Sequence, residues 1–589
     1  MPALSRAFWV AFGALSCAFH IGLIFSGLVP NLVARPLHMA LVLPFVFLFA
    51  PRGRWGLISG AVLTVAGVGA CLWVALNVDM LRNQYGFLES PGQVALAFLL
   101  LAVTLEAARR AIGWPLPLVA LAALLYGLFG QHIPGQFGHA GTPLRSFLGT
   151  LTIAEGGIWG SLTGVSVGVV SVFVIFGAVL NAGEAGQGFM NVASAAAGRL
   201  TGGAAKVAVL SSALFGSISG SASANVASTG AITLPAMTKL GYPRKLAGAV
   251  EAVASSGGQI MPPLMGAGAF VMVELTGVPY VEIMGAALLP AILYFLAVWV
   301  GIDAYSQRYE LKGVPVDQRP DRRAVLVTSG FFLIPFTLLM WGMFAAAFTP
   351  QYAAALAVLA GAVLLFFDAA PSFNLRQGGH RLARAVVEAG RQVAMIGAII
   401  LCASIVIGVL GITGLGVKLT SGIVGLSGGM LWPSLLLTAL ACLLLGMEVP
   451  TTAAYVICVS VAGPALIELG IAPLQAHLFV FWFALLSTIT PPVCGAVFIA
   501  AGMVNENWLK VAGCAMSLGI GLYLIPLGMI ANPKLIALFT DPLWALWAFA
   551  RLAVGLGLIS FALIGRGRLW VRGAFLIGGL FSLFARAIV

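Results

Sequence analysis

The segment between Lys206 and Lys239 most constrains the fold of this chain, because its 32 residues suit neither one membrane crossing nor two. It is strongly apolar, yet its centre, from Phe215 to Asn225, is rich in small polar residues. A helix needs about 20 residues to cross the hydrocarbon core of a bilayer. Non-helical backbone at that depth must be buried in protein or line a watery cavity. The segment therefore predicts a re-entrant hairpin with a binding site for something small at its tip.

The composition predicts an all-α polytopic membrane protein. Hydrophobic residues fill 61% of the 589 positions and charged residues 8%. The net charge of +12 comes from basic residues in short loops, as the positive-inside rule expects, so nucleic acid is not an expected partner. The seven cysteines lack metal-ligand spacing. No nucleotide-binding loop or catalytic triad occurs in the sequence, so neither an enzyme nor a bound cofactor is predicted.

The second half of the chain repeats the first. A shift of 229 positions brings these residues into register: Pro235 with Pro464, Gly241 with Gly470, Pro262 and Pro263 with Pro491 and Pro492, and Gly266 with Gly495. The counterpart of the first hairpin tip is the segment from Leu445 to Thr452. Each copy also holds a helix broken by proline and small polar residues, at 255–263 and 486–492. We therefore predict two hairpins and two broken helices.

Charge predicts opposite orientations for the two copies. Basic residues crowd the base of the first hairpin, at Arg199, Lys206, Lys239, Arg244 and Lys245. No lysine or arginine occurs from Thr420 to Leu509. The 239–245 loop is therefore expected in the cytoplasm and the 470–475 loop outside. Inverted repeats with broken elements at mid-membrane are typical of a secondary transporter.

The polar breaks offer hydroxyl oxygens and freed backbone carbonyls, which suit alkali cations, while half-helix N-termini suit an anionic substrate. One cation site is predicted at Ser217, Ser219, Ser221, Asn225, Ser255, Ser256, Gly257 and Gly258. The second is predicted at Gly446, Thr451, Thr452, Ser487, Thr488 and Thr490. The substrate is expected between the hairpin tips, at Ser221, Asn225 and Thr452.

Two acidic residues are candidates for a role in coupling. Glu251 lies just before the first break, where it either hydrogen-bonds into the site or has only a structural role. Glu448 lies at the second hairpin tip. Its carboxyl group supplies a cation ligand, carries a proton, or points into an aqueous cavity and does neither. Sodium and proton coupling therefore both remain open.

Several motifs resemble the fused membrane components of tripartite ATP-independent periplasmic (TRAP) transporters, in particular the TAXI type. They are LEAARR at 105–110, LFGSISGS at 214–221 with Ala224-Asn225-Val226, GAVEAVAS at 248–255 with QIMPP at 259–263, and PTTAAY at 450–455. The family pattern has glycine where this chain has Glu448. The resemblance covers about residues 100–530.

The resemblance implies an elevator-type importer of small organic anions, often carboxylates, usually driven by sodium. It also implies a TAXI-type periplasmic substrate-binding protein as partner, and a bacterial inner-membrane location. The expected domains are a small subunit-like domain at 1–141, a large transport domain at 142–540 with repeats at about 142–320 and 321–540, and a two-helix extension at 541–589. A single fused unit, the Q-like and M-like subunits in one chain, is expected to act as a monomer.

Two other functions remain open. One is a stand-alone or proton-coupled anion transporter that works without a binding protein. The other is a gated channel with re-entrant pore loops. Uptake against a gradient excludes the channel, and a binding-protein gene beside this one disfavours the stand-alone transporter.

Overall fold

The computed structural model describes residues 5–51, 53–263, 265–370, 372–446, 450–492, 494–565 and 567–585. Within these ranges the structure is helical, without a β-strand. The helices, in chain order, are α1 (Arg6–Phe25), α2 (Asn31–Leu48), α3 (Gly53–Leu76), α4 (Val78–Asn83), α5 (Pro91–Ile112), α6 (Pro115–Phe129), α7 (Leu144–Thr152), α8 (Ser161–Val165), α9 (Ser171–Ala182), α10 (Ala185–Ala197), α11 (Gly203–Ser219), α12 (Ala222–Lys239), α13 (Arg244–Gly257), α14 (Gly266–Thr276), α15 (Tyr280–Tyr309), α16 (Arg322–Phe344), α17 (Pro350–Leu364), α18 (Leu375–Thr413), α19 (Leu415–Leu426), α20 (Leu431–Leu445), α21 (Thr451–Glu468), α22 (Pro473–Leu486), α23 (Gly495–Val504), α24 (Trp508–Leu518), α25 (Ile520–Ala531), α26 (Pro542–Ile564) and α27 (Leu569–Phe584).

The helices confirm a polytopic membrane protein. Within the described ranges, eleven helical segments are long and apolar enough to cross a bilayer. A twelfth is added if α24 and α25, which meet at a bend of 40°, form one span. Six helices of the hairpins and breaks are not among the eleven, because each is shorter than a full membrane span. They are the hairpin helices α11 and α20 and the halves of the two broken helices, α13/α14 and α22/α23.

The helices fall into two compact units. The first comprises Met1–Gly183, Ile334–Asp368 and Ser372–Leu426. Its centre is α18, which has 39 residues and contacts α1, α2, α5, α6 and α9. At 1.5 Å per residue α18 is about 58 Å long, so it exceeds the hydrocarbon thickness of a bilayer.

The second unit comprises Glu184–Leu333, Ala369–Pro371 and Ser427–Val589. It contains the hairpin α11/α12 with the broken helix α13/α14, and the hairpin α20/α21 with the broken helix α22/α23. Helices α26 and α27 pack together, and α26 lies against α15. The domain boundaries predicted at residues 141 and 540 separate fused subunits along the sequence. They are a different division from this grouping of helices by contact, so they stay a prediction.

The repeat found in the sequence is present in the helix boundaries. A shift of 229 positions carries both ends of α12 onto those of α21, and both ends of α13 onto those of α22. It also carries the first residue of α14 onto that of α23. The two copies differ afterwards, because α15 is one continuous helix of 30 residues whereas α24 and α25 are separated by a bend. The two copies therefore share the hairpin and the broken helix.

Candidate functional site

The first hairpin turns at Gly220 and Ser221. Gly220 ends α11 in the left-handed conformation, with φ of 60°, which glycine adopts without steric cost. The hydroxyl of Ser221 then caps α12 by accepting a hydrogen bond from the backbone N–H of Ala224 at 3.3 Å. A Cβ on Gly220 would lie 2.8 Å from the Cα of Gly266. The glycine therefore allows the tip to contact the start of α14.

The first broken helix stops at Gly257 and resumes at Gly266, and the intervening residues include a 3₁₀ turn at Gly258–Ile260. The Pro262–Pro263 peptide bond is cis, as is its counterpart Pro491–Pro492. A Cβ on Gly216 would lie 2.5 Å from the Cα of Gly258. The bare glycine backbone of α11 therefore packs directly against the break.

Two buried polar atoms at this junction have no hydrogen-bond partner among the described residues: Ser219 Oγ at the end of α11 and Gln259 Oε1 in the 3₁₀ turn. Buried polar atoms in proteins are normally hydrogen-bonded, and each exception needs a physical reason. Both atoms can coordinate a cation through a lone pair. Ser219 belongs to the predicted first cation site. Gln259 was not among the predicted ligands, although it follows the polar residues of the break.

Asn225 ties three helices of the first copy together. Its side chain is fully buried on α12, and Nδ2 donates to the carbonyl of Ser212 on α11 at 2.9 Å. The same nitrogen donates to the carbonyl of Ser255 on α13 at 3.3 Å. Its Oδ1 accepts from Thr229 at 3.3 Å. The amide therefore positions the helices around the break, with its acceptor oxygen only weakly engaged.

Glu251 is fully buried beside this amide and is surrounded by hydroxyl groups. Thr229 and Thr233 of α12 both donate to its carboxyl group. Ser255 donates at 3.2 Å and Ser212 at 3.4 Å. Within the described residues Glu251 forms no ion pair. These hydrogen bonds join α11, α12 and α13. They fit both alternatives for Glu251, a carboxyl that hydrogen-bonds into the site and one with only a structural role, so its part in coupling stays a prediction.

The second copy shows the same kind of contact. A Cβ on Gly446 would lie 2.6 Å from Ser487 Oγ, and that hydroxyl donates to the Gly446 carbonyl at 2.9 Å. Thr490 Oγ1 lies 2.6 Å from the hydroxyl of Tyr523. Thr451, mostly buried, and Thr452 begin α21. Glu448 lies outside the described residues, so its predicted roles stay predictions.

A hydrogen bond joins the two breaks. Ser256 Oγ on α13 lies 2.9 Å from Thr488 Oγ1, which follows α22. In addition, the hairpin helix α12 contacts α23, and the hairpin helix α21 contacts α14. Each hairpin therefore packs against the broken helix of the other copy.

The structure thus brings the two predicted sets of residues together within one unit. Some members already use their polar groups inside the protein. Ser217 Oγ donates to the Leu214 carbonyl at 2.8 Å, and a Cβ on Gly257 would meet the ring of Tyr294. Cation binding and substrate binding at these residues stay predictions.

The sequence comparisons identify the family. Residues 98–544 match the family described as "Tripartite ATP-independent periplasmic transporter, DctM component". Because this match covers well over half of the chain, the protein belongs to that family. The family consists of transporter permeases, so the chain is a membrane component of a TRAP transporter and is not expected to be an enzyme.

Two similar proteins illustrate the range of relatives. The isethionate TRAP transporter permease protein DctMQ of Oleidesulfovibrio alaskensis is 25% identical over 456 residues, which cover 73% of this chain and 70% of that protein. The C4-dicarboxylate TRAP transporter large permease protein DctM of Pseudomonas aeruginosa is 26% identical over 336 residues, which cover 57% of this chain and 77% of that protein. Family membership implies secondary transport of organic acids that depends on a substrate-binding protein.

Proposed function

We propose that the protein is a sodium-coupled importer of a small carboxylate in the bacterial inner membrane. The observation that carries the proposal is that two buried oxygens, Ser219 Oγ and Gln259 Oε1, have no hydrogen-bond partner among the residues that the structure describes. A desolvated sodium ion needs several oxygen ligands of this kind, and the backbone carbonyls freed at a helix break supply more. The second cation binds at the equivalent break of the other copy.

The driving force is sufficient without ATP. Each net positive charge that enters gains about 2.3 kcal/mol per 100 mV of membrane potential. Because 1.4 kcal/mol corresponds to a factor of ten, one net charge supports roughly fifty-fold accumulation. The hairpin tips re-enter the membrane from opposite sides and hold the substrate between Ser221, Asn225 and Thr452. An elevator-like movement of the hairpin-bearing helices carries it across.

A TAXI-type periplasmic binding protein delivers the substrate. The motifs at 214–221, 248–263 and 450–455 support this type. One relative that aligns with this chain over 456 residues bears the name DctMQ, which supports the proposal that residues 1–141 are a fused small subunit, followed by a transport domain to residue 540. The binding protein, rather than the hairpin site, selects the substrate.

Sodium binding can be tested before the substrate is known. A ligand that binds the folded state alone stabilises it, by on the order of 1.4 kcal/mol at ten times its dissociation constant. We expect the purified protein to unfold at a higher temperature in NaCl than in choline chloride of equal ionic strength. The shift is expected to shrink in Gln259→Ala. An equal melting temperature in both salts would contradict the sodium site.

Proton coupling is the second candidate, and it is favoured by the acidic residue Glu448 in the tip sequence of the second hairpin. A carboxyl group at that position binds and releases a proton in place of one sodium ion. Uptake measured against sodium at fixed pH, and against pH at fixed sodium, separates the two couplings.

A further inference from the structure

The first part of α18 extends beyond what a membrane crossing requires. Residues 393–413 are apolar and number 21, which suffices for one span. Residues 375–392 precede them in the same helix and include four arginines, at 376, 381, 384 and 391. This part of α18 therefore lies at the level of the lipid headgroups and beyond.

A basic cavity of about 480 Å³ lies beside this part of the helix. Five cationic or titratable side chains line it: Arg6, Arg376, His380, Arg381 and Arg384. The remaining lining residues, Asn374 and Gln377, are neutral, so no acidic side chain of the described part of the chain lines the cavity. Arg381 is anchored because it donates to the carbonyl of Phe367 at 2.6 Å. The cavity is therefore suited to an anionic group.

An apolar crevice of about 390 Å³ adjoins the basic cavity and shares Arg6 and Arg384 with it. Trp9, Phe49 and Val387 contribute its apolar walls. One carboxylate, Glu388, also lines the crevice, and it accepts a hydrogen bond from Arg391 at 2.9 Å. The two cavities together offer a charged compartment next to an apolar one.

The cavities lie at the end of the bundle where α1 begins, α2 ends and α18 begins. Helix α3, which follows α2 after a short connection, carries Arg54 in its first turn, and the positive-inside rule assigns this end to the cytoplasm. The cytoplasmic leaflet carries the anionic lipids, and basic pockets between membrane helices on that side bind lipid headgroups.

We propose that this end of the first unit binds one anionic phospholipid, with its phosphate in the basic cavity and one acyl chain in the apolar crevice. Neither compartment alone distinguishes a lipid from a free anion or a detergent tail. Because Arg6 and Arg384 line both compartments, the two together suit a molecule with a charged head joined to an apolar tail.

The test uses the full-length protein in detergent with added palmitoyl-oleoyl phosphatidylglycerol, and native mass spectrometry counts the lipid retained. We expect retention of one phosphatidylglycerol, and at least fivefold less phosphatidylcholine. The double variant Arg6→Gln/Arg384→Gln is expected to lower phosphatidylglycerol retention at least fivefold. The matched control, Arg322→Gln/Arg323→Gln, removes two exposed arginines that line neither cavity and is expected to retain the lipid.

Two further measurements distinguish the binding of an intact lipid from the binding of a free anion or of an apolar chain. Ala383 lines the crevice but not the basic cavity, so Ala383→Phe is expected to lower lipid retention while thermal unfolding stays near that of the wild type. Equal retention by both double variants would overturn the proposal. It would also be overturned if inorganic phosphate protected the wild type against unfolding as well as phosphatidylglycerol does, since the site would then hold only an anion.

Discussion

Ser219 Oγ and Gln259 Oε1 are buried at the first break and have no hydrogen-bond partner within the described part of the chain. An unsatisfied buried polar group costs about 1–3 kcal/mol, so a ligand that satisfies both atoms stabilises the folded protein. The hydroxyl groups around Glu251 differ, because they already have partners within the protein. Replacement of Ser219 or Gln259 is therefore the most direct test for a bound cation.

Ser219→Ala is expected to raise the sodium concentration for half-maximal uptake by about tenfold, which corresponds to about 1.4 kcal/mol of lost cation binding. The matched control is Ser211→Ala on the same helix, because the Ser211 hydroxyl is satisfied by the Val207 carbonyl at 2.8 Å. Uptake into proteoliposomes with saturating binding protein measures both variants. Equal sodium dependence in the two variants would remove Ser219 from the site.

Asn225→Ala and Thr452→Ala are expected to abolish uptake while expression stays near normal. Asn225 holds the Ser212 and Ser255 carbonyls in place around the break, so its loss also lowers thermal stability. Thr452 is half-buried at the start of α21, and we expect its replacement to affect uptake alone. Full uptake in both variants would move the substrate site elsewhere.

Glu448→Gln separates sodium from proton coupling. With sodium coupling, uptake by the wild type follows sodium at fixed pH, and the variant keeps that dependence. The opposite outcome is sodium-independent uptake that follows an inward proton gradient and disappears in the variant. That outcome would make Glu448 the coupling residue.

At the level of helices, the structure shows how closely the hairpin and the break must approach. Gly216→Ala places a methyl group 2.5 Å from the Cα of Gly258, and overpacking of this kind costs about 1–3 kcal/mol. We expect a lower unfolding temperature and little uptake. Gly513→Ala is the matched control, because a Cβ there would meet nothing within 4 Å. Similar behaviour of the two variants would show that the close contact is unimportant.

The sequence predicted the hairpins and the breaks because glycine, proline and small polar residues interrupt apolar runs at the same offset in both copies. Hydropathy alone does not delimit α2, because the apolar run in this region covers only residues 37–50 whereas the helix is Asn31–Leu48. The reason is that Arg35 and His38 lower the local hydropathy, yet both are buried and have polar partners from elsewhere in the chain.

The candidate site was predicted as a set of residues but not as a set of contacts. Residue type identified Asn225 and Ser217 as possible ligands, whereas the structure shows their donor groups bound to backbone carbonyls. Gln259 was not predicted as a ligand, because a lone glutamine three positions before a proline pair matches no known spacing of ligand residues. Whether a polar atom already has a partner depends on tertiary packing, which residue type and spacing do not specify.

For the molecule as a whole, the inverted-repeat hypothesis requires the two copies to face opposite sides of the membrane. The orientation of the two copies is tested with single-cysteine variants at the exposed positions Arg244 and Ala472, which are labelled with a membrane-impermeant thiol reagent. The native cysteines are all buried, so they give little background. We expect external reagent to label Ala472→Cys and to spare Arg244→Cys until the membrane is opened. Labelling of both from one side would end the inverted-repeat hypothesis.

The proposed function requires a binding protein and a sodium gradient to act together in driving uptake. Reconstitution of the chain in proteoliposomes tests this requirement, with a purified TAXI-type binding protein from the same organism and the radiolabelled organic acid that this protein binds. We predict accumulation above the external concentration only when the binding protein and an inward sodium gradient are both present, and enhancement by an inside-negative potential. The proposed function would be contradicted if accumulation stayed equal when the binding protein or the sodium gradient is left out. It would also be contradicted if the acid only equilibrated across the membrane.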